Sequence, residues 1–142
     1  MRILLVEDDH LQAEGITAEF ERAFPGAKVQ TIATESDFVA NLNQIADNPP
    51  DVIIIDVMLR WADPAPDLKP PPPEVQEGGF FRAGIRCKDM LQRNKNTDDI
   101  PVVVYTVLDR SDLPEGLEFI PKGANFRALV NRIREVLEKS VR

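Results

Sequence analysis

The sequence predicts an α/β domain built on a doubly wound, five-stranded parallel sheet with helices on both faces. Two observations carry this expectation. Five short apolar runs alternate with amphipathic stretches along the chain, and the third and fourth runs are continuous and β-branched, as strands covered on both faces are. At 142 residues the chain has room for one domain, expected over 1–142, with a core of ordinary size.

The first run, Ile3-Leu4-Leu5-Val6, ends abruptly in Glu7-Asp8-Asp9. Asp9 is placed to cap a helix over about 11–24, on which Ala13, Ile16, Phe20 and Phe24 recur at near-helical spacing. Pro25-Gly26 stops it, and Lys28 to Ile32 alternates in polarity as an edge strand would. Ser36 is the expected cap of a second helix with the stripe Phe38, Val39, Leu42, Ile45 and Ala46, ended by Asn48-Pro49-Pro50. Asp51-Val52-Ile53-Ile54-Ile55-Asp56 follows as a central strand.

From Leu59 to Gly79 the periodicity dissolves. Six of the chain's 12 prolines fall between Pro64 and Pro73, and Pro70 to Pro73 is expected to be extended polyproline II rather than helix or central strand. A loop this long inside a compact domain is either functional or mobile. Trp61, Phe80 and Phe81 flank it and are placed to pin its ends to the body. Helical spacing resumes with Phe80, Gly84, Cys87 and Leu91, and Asn94 to Asp99 is a polar connection. Pro101 to Tyr105 forms the fourth strand, with Thr106 at its end, and Leu117 to Ile120 a short fifth. Pro114 and Gly116 leave at most one or two helical turns between them. The last helix, about 125–139, has the apolar face Phe126, Leu129, Val130, Ile133, Val136 and Leu137.

Composition excludes several functions. Hydrophobic residues make up 43% and charged residues 29%, too much core-forming material for a disordered chain. With 17 basic and 24 acidic side chains the net charge is −7, which argues against a general nucleic-acid binder. No apolar run approaches the roughly 18 residues of a membrane span. Met1-Arg2-Ile3 leads straight into an apolar segment with no signal-peptide pattern. The single cysteine, Cys87, excludes an intrachain disulfide and a multi-cysteine metal site, and is simplest as a small buried apolar group. A cytoplasmic location follows as the expectation.

In a doubly wound sheet the functional groups collect in the crevice at the carboxyl ends of the strands. Here those groups are Glu7 and Asp8, Asp56, Thr106 and Lys122. With strand order 2-1-3-4-5 the first and third strands are neighbours, which brings three carboxylates together. Two unit charges about 4 Å apart repel by about 4 kcal/mol at an effective dielectric of 20, so the cluster needs compensation. A hard divalent cation supplies it, and Mg²⁺ suits a site of few carboxylates with open water positions. Lys122 adds a fixed positive charge and Thr106 a hydroxyl, which together suit a further anion with several oxygens; phosphoryl leads. Read singly, each signal has a plainer explanation. Glu7-Asp8-Asp9 would be helix-start acids, Lys122 a turn lysine, Thr106 strand-end chemistry and Phe119 core. His10 reads as exposed and uninvolved.

Taken together, ILLVEDD, PDVIIIDVML, IPVVVYT and FIPKGA resemble the receiver domain of two-component response regulators, over nearly the whole chain outside the proline-rich segment. The resemblance implies the flavodoxin-like order 2-1-3-4-5 and a phosphoacceptor switch. Asp56 would take a phosphoryl group from a phosphohistidine on a sensor histidine kinase or phosphotransfer protein. Asp8 and Asp56 would hold Mg²⁺ directly, Glu7 through water, and the backbone carbonyl of Met58 would add a ligand. Lys122 would pair with Asp56 and then with the phosphoryl oxygens. Thr106 would move to bond the phosphoryl group, and Phe119 matches the family's rotating aromatic. Such a protein is no enzyme in the ordinary sense; it assists its own phosphorylation and dephosphorylation and acts through a protein partner.

Three features depart from the family pattern. The link after Asp56 carries roughly twenty extra residues, over about 60–79. The interval from Thr106 to Lys122 is too short for a full fourth helix. Gly123 follows Lys122 where the family usually has proline, and Val107 follows Thr106 where a small residue is usual, narrowing access to the site. These features keep two further readings open. One is a pseudo-receiver that binds a partner without phosphorylation. The other is a Mg²⁺-dependent phosphohydrolase with Asp56 as nucleophile, against which Met58 stands where a second Asp is expected.

Overall fold

The computed structural model describes residues 1–123 and 125–140. Five parallel strands form one sheet in the order β2-β1-β3-β4-β5: β1 (Arg2–Val6), β2 (Lys28–Ile32), β3 (Val52–Ile55), β4 (Val102–Thr106) and β5 (Phe119–Pro121). The expected strand order is the one found. β1 pairs with β3 from Ile3 opposite Val52 to Val6 opposite Ile55, so the two strands end side by side.

Period-two alternation sends successive side chains to opposite faces. Ile3, Leu5, Val52, Ile54, Val103 and Tyr105 pack under α1 (His10–Ala23) and α6 (Arg127–Ser140), meeting Ala13, Ile16, Phe20, Leu129, Val130 and Ile133. Leu4, Val6, Ile53, Ile55 and Val104 face the other way, onto α2 (Glu35–Ala40), α3 (Leu42–Asp47) and α5 (Ala83–Arg93). Phe38, Ile45, Ala83, Cys87 and Leu91 fill that side, and Cys87 is fully buried as anticipated.

Asp9 caps α1, its carboxylate accepting the Leu11 and Gln12 N–H groups. The second helix differs from expectation in two ways. Thr34, not Ser36, is its cap, because the Thr34 hydroxyl accepts the Asp37 N–H at 3.2 Å. The helix also breaks at Asn41, whose side-chain amide donates to the Asp37 carbonyl at 2.7 Å. An asparagine that engages the helix's own backbone competes with continued winding, so α2 and α3 form two short pieces. Val39, placed on the apolar stripe, is exposed.

The proline-rich stretch is irregular up to Pro72 but then forms a short helix, α4 (Pro73–Gly78). Pro73 is thus helical, contrary to expectation. At the first helical position the missing N–H is unsatisfied anyway, and the fixed φ suits the helix. Phe80 does not open α5: Gly79 at φ 68° breaks the backbone, and a 3₁₀ turn over Phe80–Arg82 precedes the helix. Between β4 and β5 only a 3₁₀ turn, Arg110–Asp112, is found, as the spacing predicted. β5 starts two residues later than read and ends one later, at Pro121, which an edge strand tolerates. No cis peptide bond occurs among the described residues. Ala124, the last residue of the FIPKGA match, lies outside the described residues.

Candidate functional site

Three of the predicted residues meet at the tips of three strands. Lys122, just past β5, extends its ammonium between Glu7 after β1 and Asp56 after β3. It donates to Glu7 Oε1 at 2.5 Å and to Asp56 Oδ2 at 2.9 Å. All three are enclosed, with Glu7 3% and Asp56 5% exposed and the Lys122 side chain 9%. The reading of Lys122 as a turn lysine on the surface is therefore excluded. The Lys122 N–H also bonds the Thr106 carbonyl at 2.9 Å, fixing the strand end from which the side chain departs.

Two buried carboxylates against one ammonium leave a negative surplus. Burial pushes the Glu7 carboxyl up to about 7, opposed by the Lys122 hydrogen bond and reinforced by the charge of Asp56. For Lys122, burial works downward but the hydrogen bonds to Glu7 and Asp56 outweigh it, so its pKa rises and it stays charged. The ammonium also lies 5.8 Å from the ring centroid of Tyr105, a cation–π contact that sequence reasoning did not anticipate.

The remaining predicted residues are nearby but otherwise engaged. Asp8 does not join the pair; its Oδ2 accepts the Arg60 N–H at 3.1 Å, and among the described residues no three acids are grouped to hold a metal. Of the three carboxylates expected together, Glu7 and Asp56 share the Lys122 ammonium, while Asp8 is engaged by the Arg60 N–H. Met58 is half-buried, and its N–H donates to Asp56 Oδ1 at 3.3 Å. The Thr106 hydroxyl is buried and accepts the Leu108 N–H at 3.3 Å, while Val107 beside it is 61% exposed. Phe119 is half-buried on β5, opposite Val104. His10 is exposed on the first turn of α1. As a donor set, the carboxylates of Asp8 and Asp56 and the Met58 carbonyl are all hard oxygen, the chemistry that Mg²⁺ prefers, and the negative surplus suits a cation.

Sequence reading missed three contributors. Gly84 on α5 passes so close to the site that an added Cβ would lie 2.0 Å from the Asp56 carbonyl oxygen, while its N–H bonds the Val57 carbonyl at 2.9 Å. Its place inside an apolar helical stripe hid it, although glycine in such a stripe is itself a signal of close approach. Arg60 holds Asp8 through backbone alone, which no side-chain pattern records. Glu35, buried, and Arg86, half-buried, form a forked ion pair at 2.7 Å across 51 residues of sequence. Of the flanking aromatics, Phe80 and Phe81 stack on each other at 4.1 Å and are 52% and 55% exposed, so their side chains do not pin the insertion as expected, whereas Trp61 is half-buried.

No family model matches the chain. Among curated proteins it is 28% identical over 146 residues to the transcriptional regulatory protein AfsQ1 of Streptomyces coelicolor, covering 99% of this chain and 52% of that protein. It is 27% identical over 147 residues to the response regulator MprA of a Mycobacterium species, with 99% and 52% covered. The chain therefore spans about half the length of the curated relatives it matches. Among solved structures, the receiver domain of a DNA-binding response regulator from Colwellia psychrerythraea superposes with a TM-score of 0.70 at 22% identity, over 97% of this chain and 98% of that one. The receiver domain of HemR from Leptospira biflexa gives 0.64 at 25%, over 96% and 93%. The receiver domain of a histidine kinase from Syntrophus aciditrophicus gives 0.69 at 24%, over 97% and 90%.

Proposed function

We propose that this chain, whose curated homologues are response regulators and whose structural neighbours are receiver domains, is a phosphoacceptor signalling switch with Asp56 as the acceptor. The observation that carries the reading is the Lys122 ammonium held between two buried carboxylates at the sheet's switch point. Residues 1–142 are taken as one receiver-like unit with its insertion over about 60–79.

A carboxylate is a competent covalent acceptor for phosphoryl groups. In the proposed step an Asp56 oxygen bonds to phosphorus as the phosphorus–nitrogen bond of a phosphohistidine breaks. The electron pair of that bond stays with the imidazole, and an acyl phosphate results. The phosphohistidine belongs to a sensor histidine kinase or phosphotransfer protein. Loose phosphoryl transfer asks mainly for alignment and charge neutralisation. Lys122 supplies a fixed positive charge aimed at Asp56 Oδ2, and the Met58 N–H orients Oδ1. Mg²⁺, held by Asp8, Asp56 and the Met58 carbonyl with Glu7 acting through water, would neutralise charge on the transferring oxygens. After transfer, the added charge and acceptor oxygens draw Lys122 and the Thr106 hydroxyl. Thr106 would then give up the Leu108 N–H it now accepts, freeing the segment that leads to Phe119.

Incubation with a small phosphodonor and Mg²⁺, followed by intact-mass measurement, tests this. One phosphoryl group should be gained and should be absent in Asp56→Asn. No gain would make the chain a pseudo-receiver, and continuous turnover of donor would make it a phosphohydrolase.

A further inference from the structure

The insertion is fastened at both ends to α2. At its near end the Arg60 and Trp61 carbonyls accept the Glu35 and Ser36 N–H groups at 3.0 and 2.7 Å. At its far end the Gly79 carbonyl accepts from Arg86 Nη2 at 2.8 Å, and that guanidinium is forked onto Glu35. The neck closes where the Leu59 N–H meets the Phe80 carbonyl at 3.0 Å. A forked, partly buried pair has fixed geometry and gives little, so the far end is the rigid one. The near end has one additional tie, and it reaches into the pocket: the Arg60 N–H donates to Asp8 Oδ2 across 52 residues of sequence. One carboxylate thus serves both the pocket and the strap.

We infer that the insertion is a strap latched through Asp8, and that cation loading of this carboxylate releases its near end while the neck and the far end hold. The inference rests on Asp8 being a cation ligand, as proposed above. As placed, one oxygen of Asp8 is taken by the Arg60 N–H, so a cation shared with Asp56 competes with that donor for the carboxylate. A cation also withdraws charge from the carboxylate and weakens any hydrogen bond it accepts. With that bond gone, the near end keeps only the two carbonyl contacts to α2. Trp61, the chain's single tryptophan, travels with it and reports the release. Coupling is reciprocal, so the latch must weaken cation binding by the factor by which the cation loosens the latch.

The test uses the full chain with MgCl₂ alone, reading affinity by calorimetry and amide exchange by NMR or mass spectrometry. Saturating Mg²⁺ should speed exchange at Arg60, Glu35 and Ser36 several-fold, leave Leu59 protected, and shift Trp61 emission with the same midpoint. Arg60→Pro removes the donor; its strap should exchange fast without Mg²⁺ and its affinity should rise about tenfold, the scale of a charge-assisted hydrogen bond. Arg60→Ala keeps the N–H and loses only the exposed Asp63 ion pair, so it should behave as the parent does. Mg²⁺ binding that leaves exchange at all three amides unchanged overturns the latch and spares the phosphoacceptor reading. An absence of any Mg²⁺ heat overturns the latch and the cation site together. Should Arg60→Pro not fold, the exchange pattern of the parent chain decides alone.

Discussion

Replacing Gly84 with alanine puts a methyl group where backbone already lies. Its Cβ would fall 2.0 Å from the Asp56 carbonyl oxygen and 2.8 Å from both the Asp56 carbonyl carbon and the Val57 Cα. Ordinary contact begins near 3.4 Å, so the start of α5 must retreat by about 1.4 Å. None of these atoms can rotate aside, as a side chain could. Overpacking of this kind costs about 1–3 kcal/mol. Stretching the Gly84 N–H bond to the Val57 carbonyl adds about 0.5–1.5 kcal/mol. Alanine's better helix propensity offsets about 1 kcal/mol. The net expectation is a loss of roughly 1–3 kcal/mol in denaturant unfolding, with a fall in melting temperature of about 4 °C per kcal/mol. The strain falls on the peptide that carries the acceptor, and a displacement of about 1 Å costs up to about a hundredfold in a positioned reaction. Phosphoryl uptake from a small donor should therefore slow by at least about tenfold. A variant within about 0.5 kcal/mol of the parent and phosphorylated at the same rate would refute the reasoning, because α5 would then have room to spare.

Two further predictions concern the charges of the pocket. Lys122→Met leaves Glu7 and Asp56 buried without their cation, and should destabilise the fold by about 3–5 kcal/mol near pH 8. Part of that loss should return near pH 5, where Glu7 can take up a proton; denaturation at both pH values checks it. Glu7 has its pKa raised in the fold, from 4.5 to about 7, so its ionisation opposes folding increasingly as pH climbs through that window and levels off above it. Glu7→Gln should flatten the stability profile over that window and be the more stable form near pH 8, by roughly 2–3 kcal/mol. Parallel profiles for the two proteins would sink this account of Glu7.

Much of the site was legible because its chemistry sits at strand ends. A strand announces itself by a local apolar run, and the residue after the run is then placed at the sheet's tip by topology alone. That is how Glu7, Asp56 and Lys122, separated by up to 115 residues, could be named as neighbours. Asp8 shows where the method stops. It follows the same strand and is the same chemical type, yet it is engaged by a backbone N–H of the insertion and not by Lys122. Backbone donors carry no residue signature. The second helix failed for a related reason, since its apolar spacing ran on through Asn41 while the asparagine side chain interrupted the backbone.

By itself the sequence determined the alternation of strands and helices, the two-faced sheet and the identity of the acids, threonine and lysine at its carboxyl edge. Those follow from hydrophobic periodicity and from short-range capping, which each segment expresses without its neighbours. Only the tertiary structure decided that Lys122 lies between Glu7 and Asp56, that Gly84 is pressed against the acceptor's own peptide, and that the insertion reaches back to Asp8. Each of these depends on distances between segments far apart in the chain, set by how packed elements meet and by which backbone groups still need a partner.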